Sequence, residues 1–247
     1  MIHIEGLQVG HEQPINKTPL EARFELGNLV ALLGRNGCGK TTLLRTLGRF
    51  LKPIKGALFL NNQDIETFSA KDFSTQLSIV TTERVYTPYM KVYDLIALGR
   101  YPYLGFLGKL RTEDHAVIEA ILEDLGINNL KDKYITACSD GEQQMVLLAR
   151  ALAQDTPIIL LDEATAHLDF VNRIKIFQTL EKLAKKHQKL IFLATHELDI
   201  ALKFSHQIIL FHQGQIIIDK PLNLIEKNRI QEVFAVEGLN YNFKRFS

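Results

Sequence analysis

The chain has 247 residues, 46% of them hydrophobic and 23% charged, which is enough for one large domain or two small lobes around a packed core and leaves no need for disulfides or structural metals. With 29 Lys and Arg against 28 Asp and Glu, the balance argues against a general nucleic-acid binder. Cys38 and Cys138 have neither metal-ligand nor redox spacing and fit a reducing compartment, and no apolar run of about 18 residues is present, so a membrane role would have to come through a partner.

The opening MIHIEGLQVGHE has no basic flank and no apolar core, so it is not expected to be a signal peptide. Its weak alternation of Ile2, Ile4, Leu7 and Val9 reads as an edge strand. Residues 28–33 (NLVALL) form a short apolar run that leads through GRNGCGKTT into the helically spaced LLRTLGRFL, a strand, Gly-rich loop and helix in succession. Residues 56–60 and 76–81 read as further strands, and residues 93–128 are mostly helical. A second helix is predicted over 141–154, a buried strand over 157–161, a helix over 172–186 and a buried strand over 190–194. Residues 207–211 and 215–219 flank Gly214 as a hairpin. Strands, a block of helices and then βαβ units imply a nucleotide-binding α/β core with a helical insertion near residues 88–153.

Two motifs carry chemistry. Gly34, Gly39, Lys40 and Thr41 fit G-x-x-x-x-G-K-[ST] with a strand before and a helix after, making Gly34, Arg35, Asn36, Gly37, Cys38, Gly39, Lys40, Thr41 and Thr42 candidate nucleotide-binding residues. The glycines let backbone N–H groups converge on phosphate oxygens, and the helix adds the positive end of its dipole. Lys40 would place a charge on the β- and γ-phosphates of ATP, and the Thr41 hydroxyl would ligate Mg²⁺. The second motif is IILLDE, four apolar residues and then two acids at the carboxyl end of a buried strand, where α/β sheets bind ligands. Asp162 would hold Mg²⁺, and Glu163 would polarise the attacking water. The competing reading of these acids is a helix N-terminal cap.

With these motifs the sequence resembles the ABC (ATP-binding cassette) ATPases along essentially its whole length. The resemblance implies an α/β P-loop NTPase (RecA-like) core with an antiparallel β subdomain, covering approximately 1–87 and 154–247, and an inserted α-helical subdomain over 88–153. Cys138-Ser139-Asp140-Gly141-Glu142 looks like the family's LSGGQ signature; Ser139 and Gly141 match it, while Cys138, Asp140 and Glu142 depart from it. On this likeness Ser139 would donate to a γ-phosphate, with Gly141 and Glu142 also in the nucleotide-binding set. Asp169 in AHLD matches the D-loop at a dimer boundary, and His196 in ATHE matches the switch histidine. The likeness gives Glu163, His196 and Lys40 catalytic roles. His11 occupies the place of the aromatic that stacks on adenine, and either Thr82 or Glu83 stands for the family's Mg²⁺-binding glutamine.

The run VYDLIALGRYPYLGFLGKL resembles the ATPases of iron-siderophore, haem and cobalamin importers. Of the 7 tyrosines, Tyr86, Tyr89, Tyr93, Tyr101 and Tyr103 fall in one short stretch; such residues suit protein–protein contacts, although some are equally suited to packing the helical lobe. Tyr89, Tyr101 and Tyr103 are the candidates for a permease interface. The family reading implies a homodimer sandwiching two ATP molecules, docked peripherally on integral membrane permease subunits at the cytoplasmic face of the inner membrane. A periplasmic or lipid-anchored substrate-binding protein acts indirectly, and no nucleic acid is expected. Two rivals stay open: a soluble ABC ATPase, as in cofactor assembly, and a regulatory or scaffold protein that binds nucleotide without turnover. A small-molecule P-loop kinase would leave Ser139, Gly141 and His196 without a role.

Overall fold

A computed structural model describes residues 1–81, 89–106, 108–165 and 168–234. The chain opens with β1 (Ile2–Gln8) and β2 (Leu20–Phe24), followed by β3 (Leu29–Leu33), α1 (Lys40–Leu47), β4 (Lys55–Leu60) and the short β5 (Gln63–Asp64). A four-stranded antiparallel sheet has the order β2-β1-β4-β5. β1 is therefore an inner strand, and the expectation of an edge strand is corrected. It pairs along both sides, with Ile2, Ile4 and Leu7 buried. The register shifts between Ile4 and Leu7 at Gly6, whose φ is +58°. This bulge breaks the period-2 pattern and makes the strand look weaker in sequence than it is. β2, with sequence LEARF, mixes polar and apolar residues and was not recognisable as the missing neighbour.

After α2 (Ala70–Ser74) and β6 (Leu77–Val80) come the helices α3 (Val92–Ala97), α4 (Thr112–Asp124) and α5 (Asp140–Ala153). The chain then alternates through β7 (Ile158–Asp162), α6 (Phe170–Lys186), β8 (Leu190–Ala194) and α7 (Leu198–Phe204). It closes with the hairpin β9 (Gln207–His212) and β10 (Gln215–Asp219), then α8 (Pro221–Glu226) and α9 (Arg229–Phe234). The second sheet has the order β10-β9-β3-β8-β7-β6, parallel except for β10. β3, β7 and β8 are buried on every residue, as parallel strands covered on both faces must be.

Strand alternation splits the interior in two. Val30 and Leu32 join Leu43, Leu44 and the four-stranded sheet in one apolar cluster, where Phe24 meets Phe192 edge to face at 5.0 Å. Leu29, Ala31 and Leu33 point the other way, into a cluster shared with α3, α4, α5 and α6. The helical block is pinned by a buried pair: Arg100 Nε donates to Asp114 Oδ1 at 2.8 Å, and the same guanidinium donates to Ala153 O at 2.8 Å. Register places the carboxyl ends of three strands side by side, with Leu32 opposite Ala194 and Ala194 opposite Asp162. Among the described residues no helix is long and apolar enough to cross a membrane.

Candidate nucleotide site

The loop between β3 and α1 sits at that shared edge. Gly39, the residue before α1, has φ +107°, and a Cβ built on it would lie 1.9 Å from Ile15 Cδ1. Only glycine satisfies both demands. α1 has no side-chain cap and no acidic residue in its first turn, so its first amides remain available to an anion. Lys40 is buried, and its ammonium donates to Gly34 O at 3.0 Å and Arg35 O at 3.4 Å. Burial raises the Cys38 thiol above its ordinary range, and the Lys40 charge opposes this. Arg35 Nε donates to Val233 O at 3.2 Å, tying the loop to α9.

Across the edge, Thr41 Oγ1 donates to Asp162 Oδ1 at 3.0 Å. Burial lifts the Asp162 carboxyl above its usual range and the neighbouring Glu163 adds to this, while the Thr41 hydrogen bond pulls the other way. A hydroxyl and a buried carboxylate form a hard-oxygen donor set, which fits Mg²⁺. Thr82 and Glu83, the two candidates for a further oxygen ligand, lie outside the described residues.

Glu163 follows β7 with φ +51°, in the left-handed region that non-glycine residues seldom occupy. Its N–H donates to Ala194 O at 3.0 Å, and its Oε1 lies 2.7 Å from His196 Nε2. Asn36, Gly37, Cys38, Gly39, Lys40, Thr41, Thr42, Glu163 and His196 line one cleft of about 370 Å³. The buried Thr195, whose Oγ1 lies 3.5 Å from that of Thr165, accepts from Glu197 N at 3.1 Å and so holds the turn that carries His196.

His11, Ser139, Gly141, Glu142 and Asp169 do not line this cleft. His11 is exposed on a loop that lies against the cradle through Ile15 and is braced by Asn16, whose Oδ1 accepts from Val9 N at 2.9 Å. Ser139 caps α5 in a reciprocal box: its Oγ accepts from Glu142 N at 3.3 Å, and Glu142 Oε2 accepts from Ser139 N at 2.8 Å and Ser139 Oγ at 3.1 Å. The Ser139 amide is the leading cause of Glu142's carboxyl lying below its ordinary range. Asp169 caps α6, accepting from Asn172 N at 2.8 Å.

Tyr89 and Tyr101 are 91% and 75% exposed, whereas Tyr103 donates to Gln154 O at 2.8 Å and lies under the Arg100 guanidinium at 4.2 Å. Tyr86 is outside the described residues. Sequence reasoning missed Ile15, Arg173 and Val233 as neighbours of the site; their contacts are made across the fold, and no local pattern marks them.

The family pattern described as "ABC transporter" matches residues 18–166. The iron(3+)-hydroxamate import ATP-binding protein FhuC of Bacillus subtilis is 32% identical over 235 residues, covering 95% of this chain and 87% of that protein. The ferric enterobactin transport ATP-binding protein FepC of Escherichia coli is 28% identical over 233 residues, covering 94% and 86%. Among solved structures, the ADP conformation of MJ1267, an ATP-binding cassette of an ABC transporter, superposes with a TM-score of 0.82 at 22% identity, covering 96% of this chain and 99% of that one.

Proposed function

This chain belongs to the ABC transporter family as an ATP-binding, ATP-hydrolysing subunit, and from that premise we propose that it powers import of a ferric siderophore or a related chelate. The cargo reading is supported by FhuC and FepC, whose names specify iron-hydroxamate and enterobactin, and by the LGRYP run over residues 98–102.

The observation that carries the mechanism is the single cleft in which Lys40, Glu163 and His196 converge beside the Thr41–Asp162 pair. The amides of residues 36–41 and the Lys40 ammonium bind and orient the phosphates. Thr41 and Asp162 would hold Mg²⁺, which when bound neutralises phosphate charge. Glu163 accepts a proton from the attacking water, and His196, fixed on Glu163, orients that carboxylate and reaches the γ-phosphate end. Ser139 and Asp169, away from the chain's own cleft, serve a second copy: in a homodimer Ser139 faces the partner's nucleotide. The peripheral position at the cytoplasmic face of the membrane follows from the permease.

Permease docking is assigned to the open groove of about 600 Å³ between α2 and the segment after α3, which includes Lys71, Ser74, Tyr101, Leu104 and Phe106. Tyr101 and Phe106 are exposed there, and Tyr89 lies exposed just before α3. Tyr103, bonded to Gln154, does not line the groove.

Phosphate release with and without the permease tests the whole reading. Glu163→Gln should keep ATP affinity and lose turnover by roughly 10²–10⁴-fold, and Tyr101→Ala should spare basal hydrolysis but uncouple it from the permease. Ferric hydroxamate uptake in cells carrying Glu163→Gln should stop. Unchanged turnover in that variant would overturn the mechanism, and unchanged uptake would overturn the cargo.

A further inference from the structure

Arg173 lies one turn into α6 and does not line the cleft, but it contacts two of the motifs above, AHLD through Leu168 and ATHE through Glu197. Its Nε donates to Leu168 O at 2.9 Å, and a terminal nitrogen of the same guanidinium is paired with Glu197 Oε1. Leu168 belongs to the loop after β7, which begins at Glu163. Glu197 belongs to the turn after β8 and follows His196 directly. One planar fork therefore ties together the two loops that carry the hydrolytic pair.

The surroundings make this link rigid on both sides. The Leu168 side chain is buried, and a Cβ placed on Gly141 would meet its Cδ2 at 3.2 Å, so Leu168 also backs the Ser139–Gly141 turn. Glu197 N donates to the Oγ1 of buried Thr195. His196 thus sits between one residue anchored inside the core and another anchored on Arg173, and it meets Glu163 Oε1 at 2.7 Å.

An isolated surface ion pair would deserve no such weight. This one is half-buried, with side-chain exposures of 30% and 25%, and its arginine is oriented by a second hydrogen bond to main chain. A guanidinium serves both acceptors in fixed geometry, which an ammonium does not.

We infer that Arg173 is a positioning residue for ATP hydrolysis, holding the His196 turn in register with Glu163 by fastening Glu197 to the carbonyl of Leu168. The inference rests on the reading of Glu163 and His196 as the hydrolytic pair. It says that the phosphate cradle, which Arg173 does not touch, binds ATP equally well without it.

In the full-length protein, Arg173→Ala should lower single-turnover phosphate release by roughly 10–100-fold and leave the ATP dissociation constant within about twofold. Arg173→Lys should recover only part of the rate. In a His196→Ala background the same Arg173→Ala change should have no further effect, because the two act as one unit. A merely structural role would lower the rate by the same factor in both backgrounds and would overturn the inference, as would a folded Arg173→Ala protein with the parental rate. Should Arg173→Ala not fold, Glu197→Gln, which keeps size and removes the charge, must give the same selective loss; a parental rate there would overturn the inference too. Parental rates in Glu163→Gln and His196→Ala would instead show that the underlying reading had failed.

Discussion

Two helices of this protein begin at glycine-bearing turns, and the difference between them separates a phosphate cradle from a helix cap. At α1 the preceding residue is Gly39, in a left-handed conformation with no side chain to offer, and the first turn holds no acid. At α5 the preceding residue is Ser139, which shares three hydrogen bonds with Glu142, and the first turn carries Asp140 and Glu142. Both ends have the same dipole, but at α5 the Ser139 side chain already claims the Glu142 amide, whereas no side chain caps α1. A nucleotide must supply what α1 lacks, whereas at α5 it must compete with Glu142 for the Ser139 hydroxyl. The lesson is that a glycine and a helix start do not by themselves define an anion site; what matters is whether the chain has already satisfied it.

The strongest way to break this comparison is to put a methyl group at each glycine. Gly39→Ala forces a strained φ and drives Cβ into Ile15, so it should cost about 1–3 kcal/mol in a denaturant melt and abolish measurable ATP binding by titration. Gly141→Ala, at ordinary helical φ and 3.2 Å from the flexible end of Leu168, should change stability by less than about 1 kcal/mol. Equal effects at the two sites would erase the distinction.

Next in size is the cap itself. Ser139→Ala should cost about 1 kcal/mol in the same melt, with no counterpart at α1, where no side chain caps the helix. Smaller again is Glu142→Gln, which should lower stability by only about 0.3 kcal/mol and, by weakening the rival acceptor of Ser139, raise steady-state phosphate release.

The finest test is the pH dependence of unfolding, in which the two sites should respond with opposite sign. Glu142's carboxyl is held below its ordinary 4.5, chiefly by the Ser139 amide, so its stabilisation is fully present above that value and is lost as pH falls through the lower folded value. Asp162's is raised above its ordinary 3.8 by burial, so its ionised form opposes folding at neutral pH, and acidification relieves that penalty. Asp162→Asn should therefore raise the nucleotide-free melting temperature at pH 7, while Glu142→Gln lowers it.

These two turns also differ in how legible they were. The strand before Gly34, the lysine after Gly39 and the acids after IILL are local patterns, and they sufficed to predict a strand-loop-helix cradle facing a carboxylate pair. The SDGE turn could be read from residue identities as either a cap or a phosphate contact, and in this chain its side chains are engaged as a cap. β1 was misread as an edge because a bulge at Gly6 hides its periodicity and its neighbour β2 carries no strong apolar pattern. The hydrogen bond that turns Tyr103 inward depends on Gln154, far along the chain, and no tyrosine-rich stretch announces it.

The sequence by itself determined the chemistry: which loop can wrap a phosphate, which carboxylates stand at a strand end, and which family the chain resembles. Each of these is written in a few consecutive residues whose backbone freedom, charge and hydrogen-bonding capacity are intrinsic. Only the tertiary structure decided that Glu163 meets His196, that Arg173 joins Leu168 to Glu197, and that Ile15 closes over Gly39. Those contacts arise because parallel strands bring together loops distant in sequence, and contacts set by sheet order and register leave no mark in a local pattern.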